Sequence, residues 1–442
     1  MAAIDASTYE KFEIESADGS KTVDIRTGVA MFSYYEDILS PTITAQVVVV
    51  NDGNTIEGPD GKMTSLYNGL PLRGGERVVV KIAGNSPDNP GIDFSEDPAK
   101  YFYVSSIRNV LQDTKSESFV LELVPRETIT NETSRVGKKY ASSTSISDSV
   151  KDIVKNYLKT DKLNEVNVDK TQNPYGFLGN LRKPFTLLTW LASKSVPGEV
   201  SGKDATAGYL FYETKDGYHF KSIDSLITEE PYSVKYVYTE VTVANEQTND
   251  FKILKYATDK NQDLLGNLKR GAYCSHRIFF NPLTFTYTNP EKGLFKKEDY
   301  AGKTENMGKD ITLPRISDDS DKTLGDIPSR NITAVMDIGT LEKNPSMKDN
   351  ADPTKTFSQA MMRYNTTLTQ TMSMTIPSNT NLRAGDLLEC QFPNINRATT
   401  GSTDEEQSGL YMIKELCHYF DTSGSYTSLK LLRDTFGRKE KW

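Results

Sequence analysis

Hydrophobic and polar positions change their rhythm twice along this chain. From Tyr9 to Val124, short β-branched or aromatic runs alternate with Gly, Pro, Asn and Asp, the texture of successive strands. The clearest runs are Thr42 to Val50, after Pro41, and Glu76 to Ala83, after Gly74-Gly75. Tyr101 to Leu111 and Ser118 to Val124 read as a hairpin turning at Asp113-Thr114-Lys115-Ser116, with Phe119, Leu121 and Leu123 on one face at period two. Near Arg126 the period lengthens. Ile146, Val150, Ile153, Val154, Tyr157 and Leu158 form the stripe of an amphipathic helix capped by Ser145 or Ser147. A second helix follows Pro184, its apolar face made by Phe185, Leu187, Leu188, Trp190 and Leu191. Lys215-Asp216-Gly217 between Tyr209-Leu210-Phe211-Tyr212 and Tyr218-His219-Phe220 predicts a hairpin.

A third texture begins near Ala244. Phe251 to Tyr256 is strand-like, Gln262 to Leu268 suits a short helix, and Tyr273 to Thr288 reads as a long aromatic strand region. Residues 290–355 are rich in Lys, Asp, Asn, Gly and Pro with little apolar periodicity, so an insertion or extended loop domain is expected there. Phe357, Ala360, Met361 and Tyr364 then suit a helix, and Leu368 to Ile376, Asp386 to Phe392, Leu410 to Phe420 and Tyr426 to Leu432 read as strands.

These last strands echo the first ones. Leu72-Arg73-Gly74-Gly75-Glu76 matches Leu382-Arg383-Ala384-Gly385-Asp386 at an offset of 310. Tyr103 matches Tyr411, Asp113-Thr114 matches Asp421-Thr422, and Leu121-x-Leu123 matches Leu429-x-Leu431, all at 308. Gly before a strand permits a turn with positive φ, and Asp-Thr at a tip supplies side-chain bonds to turn amides. Matching order and spacing predict one duplicated, hairpin-rich domain.

The expected fold class is α+β, predominantly β: two similar antiparallel β-barrel domains with an intervening α+β domain and a polar insertion domain. The expected boundaries are 1–127 for the first barrel, 128–243 for the α+β domain, 244–289 with 356–436 for a discontinuous second barrel, 290–355 for the insertion and 437–442 for a tail. The 442 residues are ample for this, at a prior of about 150 residues per domain.

Lys and Arg total 52 against 60 Asp and Glu, a net charge of −8, the wrong sign for gripping phosphate backbones over a large surface. Met1 to Ser20 has no basic start followed by an apolar run, and the most apolar stretch, Val47 to Val50, is too short to cross a bilayer, so neither a signal peptide nor a membrane-spanning segment is expected. Cys274, Cys390 and Cys417 are odd in number and far apart, which disfavours a disulfide framework and a zinc knuckle. The sequons at Asn131, Asn331 and Asn365 carry no weight without a secretory signal.

Candidate chemistry is sparse. His219, His276 and His418 lie in strand-like aromatic surroundings without metal-ligand spacing, and the chain has no G-x-S-x-G, Walker or Rossmann motif. A calcium loop starting at Asp319 fails at its sixth position, Leu324, and at its twelfth, Arg330. Asp318 to Asp321 and Asp404-Glu405-Glu406 therefore read as solvated loops. No catalytic, cofactor-binding or metal-binding residue is nominated, no cofactor is expected, and a non-enzyme is the preferred reading. The alternative is a glycan-binding or hydrolytic protein using a carboxylate pair that meets only in three dimensions.

The run Thr356 to Phe392, with Ser358-Gln359-Ala360-Met361-Met362-Arg363-Tyr364, Ser373-Met374-Thr375-Ile376-Pro377 and Leu382-Arg383-Ala384-Gly385-Asp386, resembles the second tube-forming domain of the central baseplate hub protein of contractile-tailed bacteriophages. The Tyr209 to Ile223 hairpin after the Trp190 helix resembles that family's inter-barrel domain. The resemblance implies a homotrimer whose six barrels form a ring joining a sixfold tail tube to a threefold central spike, with a channel that DNA passes through without specific binding. It implies the spike, tail tube or tube-initiator proteins and baseplate wedge proteins as partners, and a place in the virion baseplate after synthesis in the host cytoplasm. The hub portion of a type VI secretion-like injection system is the nearer alternative. Residues 290–355 have no counterpart in the family, and no lysozyme-like or needle region follows Trp442, so any cell-wall-degrading or spike function is expected on a separate chain.

Overall fold

The computed structural model describes residues 3–52, 55–57, 61–70, 72–87, 89–172, 174–200, 203–204, 206–239, 250–260, 262–282, 284–288, 293–296, 306–309, 312–337, 353–394 and 403–438. The strands that matter here are β1 (Tyr9–Glu15), β2 (Val29–Asp37), β3 (Thr44–Asn51), β4 (Arg77–Ser86), β5 (Phe102–Gln112), β6 (Glu117–Pro125), β7 (Tyr209–Thr214), β8 (Gly217–Ser222), β9 (Tyr236–Tyr238), β10 (Lys255–Lys260), β11 (Cys274–Asn281), β12 (Gln370–Pro377), β13 (Leu387–Gln391), β14 (Gly409–Asp421) and β15 (Ser425–Arg433). The chain is predominantly β, and both of its ends contribute to one fifteen-stranded sheet.

The N-terminal strands run in the order β1-β4-β5-β6-β3-β2, antiparallel throughout. Their buried faces follow period two, as in β6, where Phe119, Leu121 and Leu123 point into the core. The C-terminal strands run β13-β14-β15-β12-β10, again antiparallel. Here the circuit closes: Lys252–Ile253, just ahead of β10, pairs with β9, which pairs with β13, both in parallel. Leu254 N donates to Thr375 O at 2.9 Å, so the segment 252–260 serves β9 at one end and β12 at the other.

The two sets of strands share their local chemistry. Gly75 N donates to Val104 O at 2.8 Å and Val104 N to Glu76 O at 2.9 Å; Gly385 N donates to Ile413 O and Ile413 N to Asp386 O at the same two distances. The acid in each turn folds back on it, Glu76 accepting from Arg73 N (2.6 Å) and Asp386 from Arg383 N (2.9 Å). At the hairpin tips Asp113 accepts from the Lys115 and Ser116 amides, and Asp421 from those of Ser423 and Gly424. The offset shrinks from 310 at the turn to 309 at Val104 and Ile413 and 308 at the tip. One of those two residues is a bulge: the β5–β6 ladder slips twice, the β14–β15 ladder once.

Between them lies a unit with its own core. Helix α1 (Arg126–Thr133) follows β6, α2 (Ile146–Ile153) is capped by Ser145, which accepts from Asp148 N at 3.1 Å, and α3 (Pro184–Ala192) begins with Pro at its first turn. Asn131 Oδ1 accepts from Phe185 N at 2.8 Å and so holds the start of α3 to α1. Every residue of β7 is buried because the β7–β8 hairpin is covered on both faces. Tyr209 and Phe211 enter the core of the helical unit, whereas Leu210 and Tyr212 pack with Ala384, Leu387 and Met412 of the C-terminal strands.

The expected domain limits need two corrections. Tyr236–Tyr238, assigned above to the α+β domain, belongs to the large sheet. The segment 244–289, assigned to the second barrel, is divided: β10 joins the large sheet, but β11 lies in a separate four-stranded sheet with Thr286–Tyr287, Leu294–Lys296 and, in parallel, Arg330–Val335. The polar segment thus supplies two of the partners of β11. Alternating aromatic texture marks β11 as a strand without naming its neighbour, and a parallel partner some 55 residues away leaves no local signal. The expected limit at 243/244 and residues 338–352 lie outside the described residues.

Gly75 (φ +94°) and Gly385 (φ +99°) occupy a backbone region that side chains disfavour. A Cβ at Gly75 meets nothing within 4 Å, whereas one at Gly385 stands 2.7 Å from the Tyr212 hydroxyl. Gly75→Ala is expected to cost about 1–2 kcal/mol from backbone strain alone. Gly385→Ala is expected to cost measurably more, and equal losses in urea unfolding would show that Tyr212 yields freely.

Candidate assembly interface

Strand β14 is thirteen residues long, yet its intradomain neighbour β13 pairs with only Gly409–Met412. The remainder of that edge, Glu415–Asp421, is taken by β2 of the other strand set in seven antiparallel pairs. Backbone hydrogen bonding therefore continues from one copy into the next. Phe32 is directly opposite Phe420 and Tyr34 directly opposite His418; the first pair stacks at 6.3 Å and the second lies parallel at 6.1 Å. Such cross-strand ring pairs set register as well as adding stability. Burial holds His418 down to about 3, so its ring sits in the joint as a neutral, stacked group. Around the ladder, Ile38 N donates to Lys414 O (2.9 Å), Tyr9 OH to Phe420 O (3.1 Å) and Gly91 N to Thr380 Oγ1 (3.0 Å), and Lys414 Nζ stands 3.2 Å from Asp37.

Two buried carboxyls lock the middle unit onto this joint. Glu36, near the end of β2, accepts from Tyr34 OH (2.7 Å), from Lys215 N in the β7–β8 turn (2.7 Å) and from Ala384 N in the turn before β13 (2.8 Å). One side chain thus touches both copies and the unit between them. Burial pushes it up to about 7, against its three donors and the nearby Lys215 ammonium, which pull it down. Glu213 on β7 accepts from Ile43 N at 3.2 Å and faces Lys162 Nζ at 3.3 Å, with Glu127 on the far side of Lys162 at 2.8 Å. Burial raises Glu213 to about 7 as well. Arg383 pairs with Asp216, and Lys215 Nζ bonds to Thr380 O, closing the same corner.

The sheet face turned away from the core mixes polar residues, Gln46, Ser106, Ser118, Thr371, Ser373 and Ser428 among them, with apolar and aromatic ones such as Val48, Val50, Val120, Tyr35 and Tyr419, and several of its charges are paired. Lys430 Nζ lies 2.9 Å from Glu415, Arg108 3.0 Å from Glu122, and Ser373 Oγ bonds to Asp259 at 2.5 Å.

The residues weighed for chemistry are scattered. His219, His276 and His418 stand in three different sheets, and His219 is bonded to Thr214 at 2.9 Å and held down to about 4 by burial. Cys390 is buried with its thiol pushed up to about 12, and Cys417 to about 11. Asp318, Asp319 and Asp321 are exposed, and Asp404 closes a turn by accepting from Glu406 N and Gln407 N. Among the described residues no group of three or more His, Cys, Asp or Glu is arranged to hold a metal ion. Glu36 and Glu213 were not singled out from the sequence. Their signal was there, an acid inside an otherwise aromatic strand run, but it looks the same as an outward-facing residue of an amphipathic strand.

No family model matches this sequence, and no curated protein matches it significantly. Solved structures do. The tail protein from Neisseria meningitidis MC58 aligns at TM-score 0.50 and 12% identity, over 97% of this chain and 97% of that one. The 43 kDa tail protein of prophage MuSo2 from Shewanella oneidensis aligns at TM-score 0.50 and 10% identity, over 96% and 98%. The fold is that of phage tail proteins. Because the match runs nearly end to end in both, the tail-protein fold includes the duplicated strand set and the unit between its copies.

A carboxyl raised from 4.5 to about 7 in the folded state binds its proton there more tightly than in the unfolded chain. Its contribution to stability is present below about pH 4.5 and is lost as pH rises through 7. Glu36 and Glu213 share this sign, so unfolding free energy is expected to fall between pH 5 and 8 and E36Q to flatten part of that fall. Glu36→Ala, which strands the Lys215 and Ala384 amides, is expected to cost about 2–4 kcal/mol. A stability–pH profile by urea unfolding checks both; a wild-type slope unchanged in E36Q would remove Glu36 from the account.

Proposed function

We propose that this chain is a structural baseplate hub of a contractile phage tail, a homotrimer that presents six copies of one β-domain as a ring. The ring joins the sixfold tail tube to the threefold central spike and leaves a channel through which DNA passes. The observation that carries this reading is the β2–β14 joint. Its two faces are different surfaces of the duplicated domain, so it is a heterologous contact, the type that generates rings when its rotation closes. A chain already holding two successive members needs only threefold association to supply six, which is how a threefold spike can meet a sixfold tube.

The outward sheet face, whose Lys430 and Arg108 are paired with Glu415 and Glu122, suits a channel wall. It offers few free cations to phosphate, and a net charge of −8 adds no general affinity for DNA. The helical unit and the four-stranded sheet then stand outside the ring, available to baseplate wedge proteins, while the ring's two ends take the spike and the tail tube or tube-initiator protein. The chain acts by assembly rather than catalysis, in the virion tail after assembly in the host cytoplasm. No helix among the described residues is long and apolar enough to cross a membrane.

Sedimentation of the purified chain at high concentration, alone and with its spike and tube proteins, is expected to give three chains of 49.4 kDa, about 148 kDa, and low-resolution images a ring with a central hole. A strict monomer in the presence of both partners overturns the reading. Turnover of peptidoglycan or polysaccharide that one Asp or Glu substitution abolishes would favour the enzymatic alternative instead.

A further inference from the structure

The four-stranded sheet has an edge left bare. β11 is flanked by Thr286–Tyr287 and Leu294–Lys296 on one side and by Arg330–Val335 on the other. Among the described residues Arg330–Val335 pairs with β11 alone, and five of its six residues are exposed. The strand therefore presents a row of main-chain donors and acceptors to water. It carries neither a proline nor a register slip, two devices that blunt such an edge.

The two ends of this edge differ in chemistry. At its C-terminal end Val335 lies opposite Phe280, whose ring meets those of Tyr287 at 5.1 Å and Phe285 at 6.2 Å. Val335, Tyr287 and Phe285 are 65%, 64% and 80% exposed. Phe285 also holds a φ of +54°, a backbone region that bulky residues rarely adopt. Single apolar residues on a surface are ordinary, whereas a contiguous group beside a bare edge marks a contact site.

The N-terminal end is cationic. Arg330 packs against Gly271, the cap of the helix Leu264–Arg270, whose last turn brings Lys269 and Arg270 to the same place. Beneath them Arg277 is fully buried on the face that packs on the helix Pro353–Thr367, its guanidinium 4.7 Å from the Phe357 ring and its Nη2 donating to Met361 Sδ at 3.3 Å. Its Nε and Nη1 have no hydrogen-bond partner. Neither has the buried Oγ of Ser275, two residues before it on the same face and directly opposite Arg330. Burial and the nearby Arg330 charge bring Arg277 down to about 10. Among the described residues these four cations have one ion pair between them, Arg270 with Asp263 at 3.8 Å. This end of the edge is short of negative charge.

We infer that Arg330–Val335 takes an extended segment of a partner protein as an added antiparallel strand, with carboxylates at the segment's C-terminal end facing Arg330 and apolar side chains at its other end facing Val335, Tyr287 and Phe285. Main-chain bonds hold such a segment, and side chains at alternate positions select it. Antiparallel pairing is the more stable per residue, and it fixes which end of the segment must be acidic. This deepens the hub reading, which sets the four-stranded sheet outside the ring, and rests on it only for the source of the partner, another protein of the tail.

Two labelled, acetylated peptides of alternating valine and threonine serve as probes with the full chain, one ending in two glutamates and the other in two lysines. Fluorescence anisotropy is expected to show at least tenfold tighter binding of the glutamate peptide, and hydrogen exchange to show slowed amides within Arg330–Val335. Arg330→Glu and Val335→Lys alter exposed side chains, so each is expected to keep the wild-type circular dichroism and to weaken that peptide at least tenfold. Arg330→Glu is expected to prefer the lysine peptide. No binding, equal binding of both peptides, or binding that leaves the Arg330–Val335 amides unprotected overturns the inference. Association with phosphatidylglycerol vesicles in place of the peptide overturns it in favour of a membrane contact. Self-association that Val335→Lys abolishes, without peptide binding, overturns it in favour of a second copy. Both variants are expected to keep the trimer in sedimentation, so failure here leaves the hub reading standing. A wild-type monomer that still binds the glutamate peptide overturns the hub reading and supports this edge.

Discussion

A backbone in a sheet must find partners for its amides and carbonyls on both sides or leave them to water, and β14 is too long for its own domain to satisfy. Its thirteen residues face the five of β13 on one edge. Everything distinctive about the molecule follows from how the seven residues Glu415–Asp421, beyond the reach of β13, are paired. Because β2 takes them, the two copies share a sheet and a continuous hydrophobic core that runs from Phe12 and Phe32 through Phe420 to Met374 and Leu429. Two separate barrels linked by a tether could move independently; two barrels sharing a ladder cannot, short of breaking about seven residue pairs at once.

The middle unit is seated on that seam by charge as well as by packing. The β7–β8 hairpin brings a fully buried strand, with aromatic side chains on both faces, against the C-terminal copy, and its turn hands a backbone amide to Glu36. A carboxyl in such a place is costly unless its oxygens are occupied, and here the occupants come from three parts of the chain. The arrangement favours one relative placement of those parts, since any slip leaves the acid or its donors unpaired. Glu213 with Lys162 and Glu127 repeats the device a few residues away. The result is a fixed angle between the two copies and the unit seated on them.

Much of this was legible before any coordinates. The hairpins at Asp113 and Asp421, the Gly-acid turns at Gly75 and Gly385, the helix capped by Ser145 and the hairpin at Asp216-Gly217 all depend on residues within a few positions of one another. Each came out within two or three residues of its expected place. The offsets of 308 and 310 correctly paired the turns and the hairpin tips, and their difference is explained in part by an extra bulge in β5, but that bulge also displaces one expected match: Tyr411 stands where Phe102 does, and Tyr103 is the counterpart of Met412. That β10 occupies in the second copy the place of β2 in the first, Tyr256 facing Met374 as Phe32 faces Val47, was invisible, because Phe32 and Tyr256 share only an aromatic ring and the strands around them have diverged. Glu36 was invisible for another reason: nothing in the run Phe32-Ser33-Tyr34-Tyr35-Glu36 tells which alternate residue meets a distant turn.

The chain alone thus determined its strands, its turn chemistry, the existence of a repeat and an acidic net charge, since these rest on periodicity, local hydrogen bonds and composition. Tertiary structure decided which edge meets which, that β11 leaves the large sheet for one built with the polar segment, and that two acids end up inside. The reason is physical. Backbone ladders form between main-chain groups common to every residue, so pairing partners are selected by how all strands fill one core and satisfy one set of edges, a sum over the whole molecule that no stretch of sequence carries by itself.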